Sequence, residues 1–212
     1  MSGLAALRRI AAGEAAGAPP PAEPGTLLEC CEFCGAQIAD QHGHVADVVD
    51  HRLLCVCRPC YLLFAPRGAG GGRYRGVGEE VRRVVDPQLS EGDWAALGIP
   101  VELAFFFRQD GRLLAFYPSP GGATESELDL SAWTAIASAN PVLEALQPDV
   151  EAALLRRHGG RWHAYLVPVD LCYELVGAVR RHWDGLGGGE VWDVIDAWFG
   201  ALDVRAEEVA RR

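Results

Sequence analysis

The pattern of apolar and polar residues after position 73 predicts strands joined by tight turns. Two apolar segments, 101–109 and 112–118, flank Asp110-Gly111, and this dipeptide suits the positive φ values of a type I′ hairpin turn. A second pair of segments, 150–157 and 161–169, flanks His158-Gly159-Gly160. Its later strand is apolar at every second position from Trp162 to Leu166, which indicates one apolar and one polar face. We therefore expect two antiparallel hairpins.

Helical spacing of apolar residues is clearest near the C-terminus. We expect Asp170 to cap a helix whose apolar stripe extends from Cys172 to Trp183. An earlier helix is expected at 131–139, ending before Asn140-Pro141. The last helix has apolar residues at i, i+3, i+4, i+7, i+8 and i+11, which predicts that one face packs on the core. These residues are Val191, Val194, Ile195, Trp198, Phe199 and Leu202.

Weaker patterns follow directly after residue 73. Segments 73–77 and 81–86 are expected to pair with each other around Gly78-Glu79. Ser90 is a suitable N-cap for a short helix that Gly98 ends. Taken with the hairpins and the longer helices, these elements predict an α+β fold in which an antiparallel sheet is packed with helices.

Composition shifts divide the chain into three parts. Residues 1–26 end in a segment rich in alanine, proline and glycine, which predicts an extended or disordered arm. Residues 27–66 hold a cluster of cysteines and are expected to form a small metal-binding ribbon. A glycine-rich hinge at 68–72 separates this module from the α+β domain, which is expected to span 73–205.

Bulk composition restricts the classes of function. Half of the residues are hydrophobic and 23% are charged, which is typical of a globular protein with a real core. The formal net charge of −10 argues against nucleic-acid binding, because phosphate contacts need a positive surface. No apolar segment approaches the ~20 residues that span a bilayer. Arginines interrupt the N-terminal apolar residues that a signal peptide needs, so we expect a cytoplasmic protein.

The cysteines carry the strongest chemical signal. Six of the seven lie between positions 30 and 60, and clustering in a reducing compartment favours metal binding over disulfides. Cys31 and Cys34 form one Cys-x2-Cys pair, and Cys57 and Cys60 form a second pair, with 22 residues between the two pairs. This spacing is close to that of a zinc ribbon, in which four thiolates close a tetrahedral structural site. Zn²⁺ is the expected ion.

Iron on the same four cysteines is the alternative, because spacing alone does not select the metal. Rubredoxins also use two Cys-x2-Cys pairs, and each pair is usually followed by glycine. Here Gly35 follows Cys34, but Tyr61 follows Cys60. This difference weakens the rubredoxin-like interpretation without removing it.

Further thiols and imidazoles surround the two pairs. Cys55 lies two residues before Cys57, so both would point the same way on an extended strand, whereas Cys30 should point away from Cys31. Cys30, Cys55 and His44 are candidates for an additional metal or redox site, against the simpler interpretation that the two thiols are partly buried bystanders. His42 and His51 lie on the same intervening segment as His44, where solvated polar residues are the commoner case.

The segment after residue 117 is a candidate partner-contact loop. Two glycines lie among hydroxyl and carboxyl side chains there, which allows an anion cradle, but no phosphate-binding loop motif is present. A rigid turn between a strand and a helix is the simpler interpretation. The candidate residues are Pro118, Ser119, Gly121, Gly122, Thr124, Glu125 and Ser126.

Several of these segments together resemble a bacterial, mainly actinobacterial, family of unknown function whose genes lie beside nickel–iron hydrogenase operons. The resemblance covers most of the chain after residue 27. It is carried by Cys-Glu-Phe-Cys-Gly (31–35), Leu-Leu-Cys-Val-Cys-Arg-Pro-Cys (53–60), Gly-Gly-Arg-Tyr-Arg (71–75), Ile-Pro-Val-Glu-Leu-Ala-Phe-Phe-Phe (99–107), Phe-Tyr-Pro-Ser-Pro-Gly-Gly-Ala-Thr-Glu-Ser (116–126) and Val-Pro-Val-Asp-Leu-Cys-Tyr-Glu-Leu-Val-Gly (167–177). The resemblance implies no established activity.

Three functions follow as hypotheses. The first is a metal-binding accessory protein that assists a nickel–iron hydrogenase through contacts with its subunits or maturation factors. The second is rubredoxin-like electron transfer for the same system. The third is an enzyme centred on residues 118–126. No nucleophile, base and orienting group can be assembled from the sequence, so the non-enzymatic hypothesis is preferred.

Overall fold

The computed structural model describes residues 29–126, 130–183 and 189–211, where it contains two sheets and five helices. The predicted N-terminal arm at 1–26 lies outside these residues. A three-stranded sheet belongs to the cysteine-rich part and a seven-stranded sheet to the rest, which confirms the α+β fold class. No helix among the described residues has the length and apolar character needed to cross a membrane.

The small sheet has the strand order β2-β1-β3 and is antiparallel. Its strands are β1 (Gly43–Asp47), β2 (Arg52–Val56) and β3 (Tyr74–Gly76), and helix α1 (Arg58–Phe64) follows β2. A single 3₁₀ turn (Ala69–Gly72) leads from the end of this helix into β3. The predicted glycine hinge therefore returns the chain to the cysteine-rich sheet.

The predicted pairing of 73–77 with 81–86 is wrong. β3 pairs with β1, with Val45 opposite Gly76, whereas the later segment becomes β4 (Arg82–Val85) of the large sheet. The reason is aromatic packing, because the ring of Tyr74 lies edge-on to Phe33 and Phe64 at centroid distances of 5.0 and 5.3 Å. This contact fixes β3 on the core of the cysteine module.

The large sheet has the strand order β10-β4-β9-β8-β5-β6-β7. All neighbours pair antiparallel except β10 and β4, which are parallel. The remaining strands are β5 (Leu103–Gln109), β6 (Arg112–Ser119), β7 (Gly122–Ser126), β8 (Glu151–His158), β9 (Arg161–Pro168) and β10 (Glu207–Ala210).

Both predicted hairpins of the large sheet are confirmed. β5 pairs with β6 through Gln109 and Arg112, and the intervening Asp110 and Gly111 have φ values of 50° and 72°. β8 pairs with β9 through a turn in which Gly159 and Gly160 have φ values of 58° and 75°. Glycine tolerates such φ values without steric cost, which explains its use in both turns.

Helices cover both faces of the large sheet. α4 (Val169–His182) and α5 (Gly189–Arg205) pack on the face that carries Phe105 and Phe107, whereas α2 (Glu91–Ala96) and α3 (Leu130–Ala139) pack on the face that carries Phe106. The polar face predicted for β9 is therefore wrong. Tyr165 on that face is 1% exposed, and its ring lies 5.6 Å from that of Phe199 on α5.

Helix α4 differs from its prediction at both ends. Pro168 is the N-cap residue and Asp170 lies within the first turn, so Asp170 is not the cap. Cys172, Val176 and Val179 are buried as expected, but Trp183 follows the end of the helix and is 45% exposed. In contrast, α5 buries Val191, Ile195, Phe199 and Leu202, four of the six positions on its predicted apolar face.

Strand β1 joins the two cores. Val45 packs in the core of the cysteine module with Cys31 and Cys60, whereas the next residue, Ala46, packs in the main core against α4 and α5. Successive side chains of a strand point to opposite faces, so one strand serves both cores. The cysteine module is thereby packed on the α+β domain.

Candidate metal centre

The structure brings the four predicted ligands together. The sulfur atoms of Cys31, Cys34, Cys57 and Cys60 all lie within 4.8 Å of one another, and those of Cys34 and Cys57 are 3.6 Å apart. A tetrahedral ion with metal–sulfur bonds of ~2.3 Å needs sulfurs about 3.8 Å apart. The four thiols are thus gathered at the spacing that such an ion requires.

The first cysteine pair lies on a tight turn. The amide of Gly35 donates to the carbonyl oxygen of Cys31 at 2.8 Å, and the amide of Cys31 donates to Ala36 at the same distance. Gly35 has a φ of 71°, a left-handed conformation that glycine adopts at low cost. The turn explains why glycine follows this pair.

The second cysteine pair lies at the start of helix α1. Cys57 is the extended N-cap residue, Pro59 is in the first turn, and Cys60 is buried one turn into the helix. A helix continues past Cys60 without a left-handed residue, so no glycine is needed there. Tyr61 instead packs against Gly43 and donates its hydroxyl hydrogen to the carbonyl oxygen of Val77 at 3.0 Å. The two pairs are therefore held by different local structures.

The electrostatics of the cluster favour a thiolate at Cys31. Burial raises the pKa of Cys31, but hydrogen bonds from the backbone amides of Cys57, Cys34 and Phe33 outweigh it and lower the pKa to about 6. Burial and the three neighbouring thiols raise the pKa of Cys60 well above its ordinary value. The protein by itself thus stabilises a negative charge on Cys31, whereas ionisation of Cys60 would be favoured by a cation at the centre of the cluster.

Cys55 lies outside this cluster. Leu54 and Val56 point into the core of the cysteine module, so Cys55 points to the other face of β2, where its cross-strand neighbour is His44. The expectation that Cys55 and Cys57 point the same way is wrong, because β2 ends at Val56 and Cys57 already caps the helix.

Cys55 instead belongs to a second group of metal-ligating atoms. Its sulfur and one ring nitrogen each from His42 and His44 lie within 4.8 Å of one another. His51 is elsewhere, with Nε2 3.0 Å from the carboxylate of Asp110. Cys30 is exposed, forms a backbone bridge with Gln37, and belongs to neither group.

A pocket of about 380 Å³ opens beside both groups of ligands. His42, His44, Cys57 and Tyr61 line it from the cysteine module, and Asp170 lines it from α4. The carboxylate of Asp170 accepts a hydrogen bond from Nδ1 of His44 at 2.8 Å. The sequence gives no signal for this contact, because the two residues are 126 positions apart and Asp170 has an ordinary helix-start pattern.

Residues 118–126 form a β-hairpin, so the loop conformation expected there is wrong, whereas the expected role in partner contact stays a prediction. β6 continues through Ser119, and β7 starts at Gly122 and forms the edge of the large sheet. The Ser119 hydroxyl donates to the Gly122 carbonyl oxygen at 3.0 Å and accepts from the Gly121 amide and the Thr124 hydroxyl. These groups satisfy one another within the turn. Pro118, Glu125 and Ser126 lie in the paired strands.

Comparisons with known proteins were made over the whole chain. The model of a family of unknown function, DUF5947, matches residues 30–206. The match contains all four cysteines of the candidate centre and both sheets almost entirely. None of the curated proteins and none of the solved structures shows significant similarity to the chain.

Proposed function

The chain belongs to this family of unknown function, DUF5947, and we propose that it is a zinc-binding accessory protein whose four-cysteine centre is structural. One observation carries the proposal: four thiols from two distant segments lie within 4.8 Å of one another. Four protein ligands fill the coordination shell of tetrahedral Zn²⁺, which leaves no position for water or substrate. Such an ion stabilises a fold and does not perform catalysis.

The small core of the module supports a structural role for the ion. Its fully buried members are Cys31, Val45, Leu54, Val56 and Cys60, two of which are ligands themselves. Partly buried side chains such as Phe33, Phe64 and Tyr74 extend this core, which is still small against an ordering entropy of ~1–2 kcal/mol for every residue. Metal binding supplies the missing stability.

We propose that the partner is a nickel–iron hydrogenase subunit or maturation factor. The support is the resemblance to proteins encoded beside hydrogenase operons, and the surface of the module is suited to protein contacts. Leu62 and Leu63 on α1 are 57% and 69% exposed, which is unusual for two adjacent large apolar side chains. Strand β7, which is the edge of the large sheet among the described residues, is a second contact surface.

Co-purification tests this partnership. The tagged full chain is co-expressed with the hydrogenase subunits and maturation factors, and captured proteins are quantified by mass spectrometry. We expect stoichiometric capture of one of them, lost in the double variant Leu62→Asp/Leu63→Asp. Val49→Asp is the matched control, because Val49 is 61% exposed on the same module. Absence of any captured hydrogenase component would contradict the partnership and leave the metal centre untouched.

Iron-based electron transfer is the second candidate function. Exposure of Cys34 favours it, because electron exchange with a partner needs a ligand near the surface. Anaerobic purification decides between the two. A coloured protein with a reversible one-electron signal supports iron, whereas a colourless protein containing zinc removes the electron-transfer candidate.

A further inference from the structure

The second group of ligands, His42, His44 and Cys55, has the properties of a metal site in its own right. Two of its members come from the start of the small sheet, on either side of Gly43, and the third comes from the neighbouring strand β2. The two imidazole rings lie 4.8 Å apart between centroids. His44 and Cys55 are directly opposite each other in the β1–β2 register, so the sheet itself fixes their separation.

His42 has a nitrogen with no partner. Its Nδ1–H donates to the carbonyl oxygen of Ala39 at 2.9 Å, which leaves the lone pair of Nε2 as an acceptor. The side chain is 9% exposed, and Nε2 is buried without a hydrogen-bond partner among the described residues. A buried nitrogen without a partner costs free energy. A metal ion would satisfy it.

His44 is oriented in the same manner. Its Nδ1–H donates to the carboxylate of Asp170 at 2.8 Å, so the Nε2 lone pair is available. A carboxylate behind a histidine is the usual outer partner of a metal-bound imidazole, because it fixes the tautomer and increases the basicity of the ring. Asp170 comes from α4 of the main domain, so this site would link the two parts of the molecule.

The surroundings also suit a cation. The carboxylate of Glu29 lies 3.7 Å from Nδ1 of His42, and Glu79 lines the same pocket as both histidines. Glu29 and Asp170 therefore place two carboxylates beside the imidazoles, whereas Glu79 and Arg58 line the wall of the same pocket.

We propose that His42, His44 and Cys55 form a second metal site that binds a divalent transition ion such as Zn²⁺ or Co²⁺ through two imidazoles and one thiolate. Binding displaces the thiol proton of Cys55 to solvent. Three protein ligands leave the fourth position of a tetrahedral ion free, which is the arrangement of catalytic and ligand-binding zinc sites. Both histidines line the 380 Å³ pocket, which has room for a water or a small anionic ligand at that position.

Metal counting tests the proposal. The full-length protein is freed of metal under reducing conditions, loaded with Zn²⁺, separated from free ion and analysed for metal per chain. We expect two equivalents for the wild type and one for His42→Ala or Cys55→Ala. His51→Ala and Cys30→Ala are the matched controls and should keep two, because neither residue belongs to a ligand group. Limited proteolysis between residues 30 and 66 verifies that the cysteine module of each variant is folded.

Asp170 provides a second, independent measurement. As a positioning residue, Asp170 should affect the affinity of the second site without binding the ion. Asp170→Asn should therefore lower the affinity for the second metal ion by 10–100-fold, measured in competition with a chromophoric chelator. The affinity of the first equivalent should not change. With Zn²⁺ in the four-cysteine centre and Co²⁺ in the second site, a thiolate charge-transfer band should appear that Cys55→Ala removes.

Two results would overturn the second site. One is a wild-type protein that binds a single ion under loading conditions, with that ion retained by His42→Ala. The other is His42→Ala that retains two ions and their affinities. Failure of the four-cysteine proposal is distinguishable, because the His42→Ala variant would then bind no ion.

Discussion

The four ligand thiols are individually indispensable if the ion supplies the stability of the module. Replacing Cys34 or Cys57 by serine leaves three thiolates and a weaker oxygen ligand, so we expect loss of the structural ion and unfolding of the module. Elemental analysis and limited proteolysis measure the two effects, and new cleavage should fall between residues 30 and 66. Cys30→Ser is the control. Unchanged metal content and protease resistance in both ligand variants would contradict the structural role.

Gly76 is a packing residue of the module. A Cβ atom at this position would lie 2.9 Å from the Cα atom of Ala65, whereas a Cβ atom at Gly78 would meet nothing within 4 Å. We expect Gly76→Ala to reduce the free energy of unfolding by about 1–3 kcal/mol, because backbone atoms cannot move aside cheaply. Gly78→Ala is the matched control and should change little. Equal denaturant midpoints for the two variants would show that β3 is not held against α1.

Asp47 links stability to pH. Hydrogen bonds from Arg73 lower the pKa of Asp47 below its ordinary 3.8, assisted by the amides of Val49 and Asp50. A carboxylate with a lowered pKa contributes stability that is present above its unfolded pKa and is lost as the pH falls through its folded pKa. The wild type should therefore be more stable than Asp47→Asn at pH 7, and the difference should shrink below pH ~4. A stability difference between the two proteins that stays the same at pH 7 and pH 3 would contradict this link.

At the scale of elements, the short helix α2 depends on its cap. The Ser90 hydroxyl accepts from the amide of Asp93 at 3.1 Å, and the Asp93 carboxylate accepts from the amide of Ser90 at 2.8 Å. The helix places Trp94 against Trp162 of β9. We expect Ser90→Ala to cost about 1 kcal/mol in chemical denaturation. The control is Ser138→Ala on the exposed side of α3, whose free energy of unfolding should be within ±0.5 kcal/mol of the wild-type value. If Ser90→Ala and Ser138→Ala changed the free energy of unfolding equally, the proposed role of Ser90 as a cap would be wrong.

Elements with local signals could be predicted from the sequence. The turns at Asp110-Gly111 and at Gly159-Gly160 require positive φ values that only a few residues tolerate, so composition alone located them. The capping residue Ser90 and the apolar stripe of α5 are equally local. The two cysteine pairs were identifiable because metal ligation restricts both residue type and spacing.

Elements that depend on distant contacts could not be predicted. β3 pairs with β1 because Tyr74 packs on Phe33 and Phe64, which no window around residue 74 shows. The second layer of helices hides the polar-looking side of β9, and the outer partner of His44 comes from a helix 126 residues away. In each case the outcome depends on tertiary packing between residues that are far apart in the chain, which local sequence patterns do not report.

At the scale of the whole molecule, the module and the main domain share β1 but have separate cores. All six tryptophans lie in the main domain, so their fluorescence reports on that domain alone. We expect a strong chelator to abolish protease resistance between residues 30 and 66 while the tryptophan emission maximum shifts little. If the chelator shifted the tryptophan emission maximum to that of the unfolded protein, the cysteine module and the main domain would unfold as one unit.

The central claim is that four cysteine sulfurs close around one ion. X-ray absorption at the zinc edge tests it most directly, using untagged His42→Ala so that only the four-cysteine centre is loaded. The account predicts one zinc per chain with four sulfur neighbours at ~2.3 Å and no nitrogen or oxygen in the first shell. A first shell that contains nitrogen or oxygen, or a protein that holds no metal after loading under reducing conditions, would contradict it.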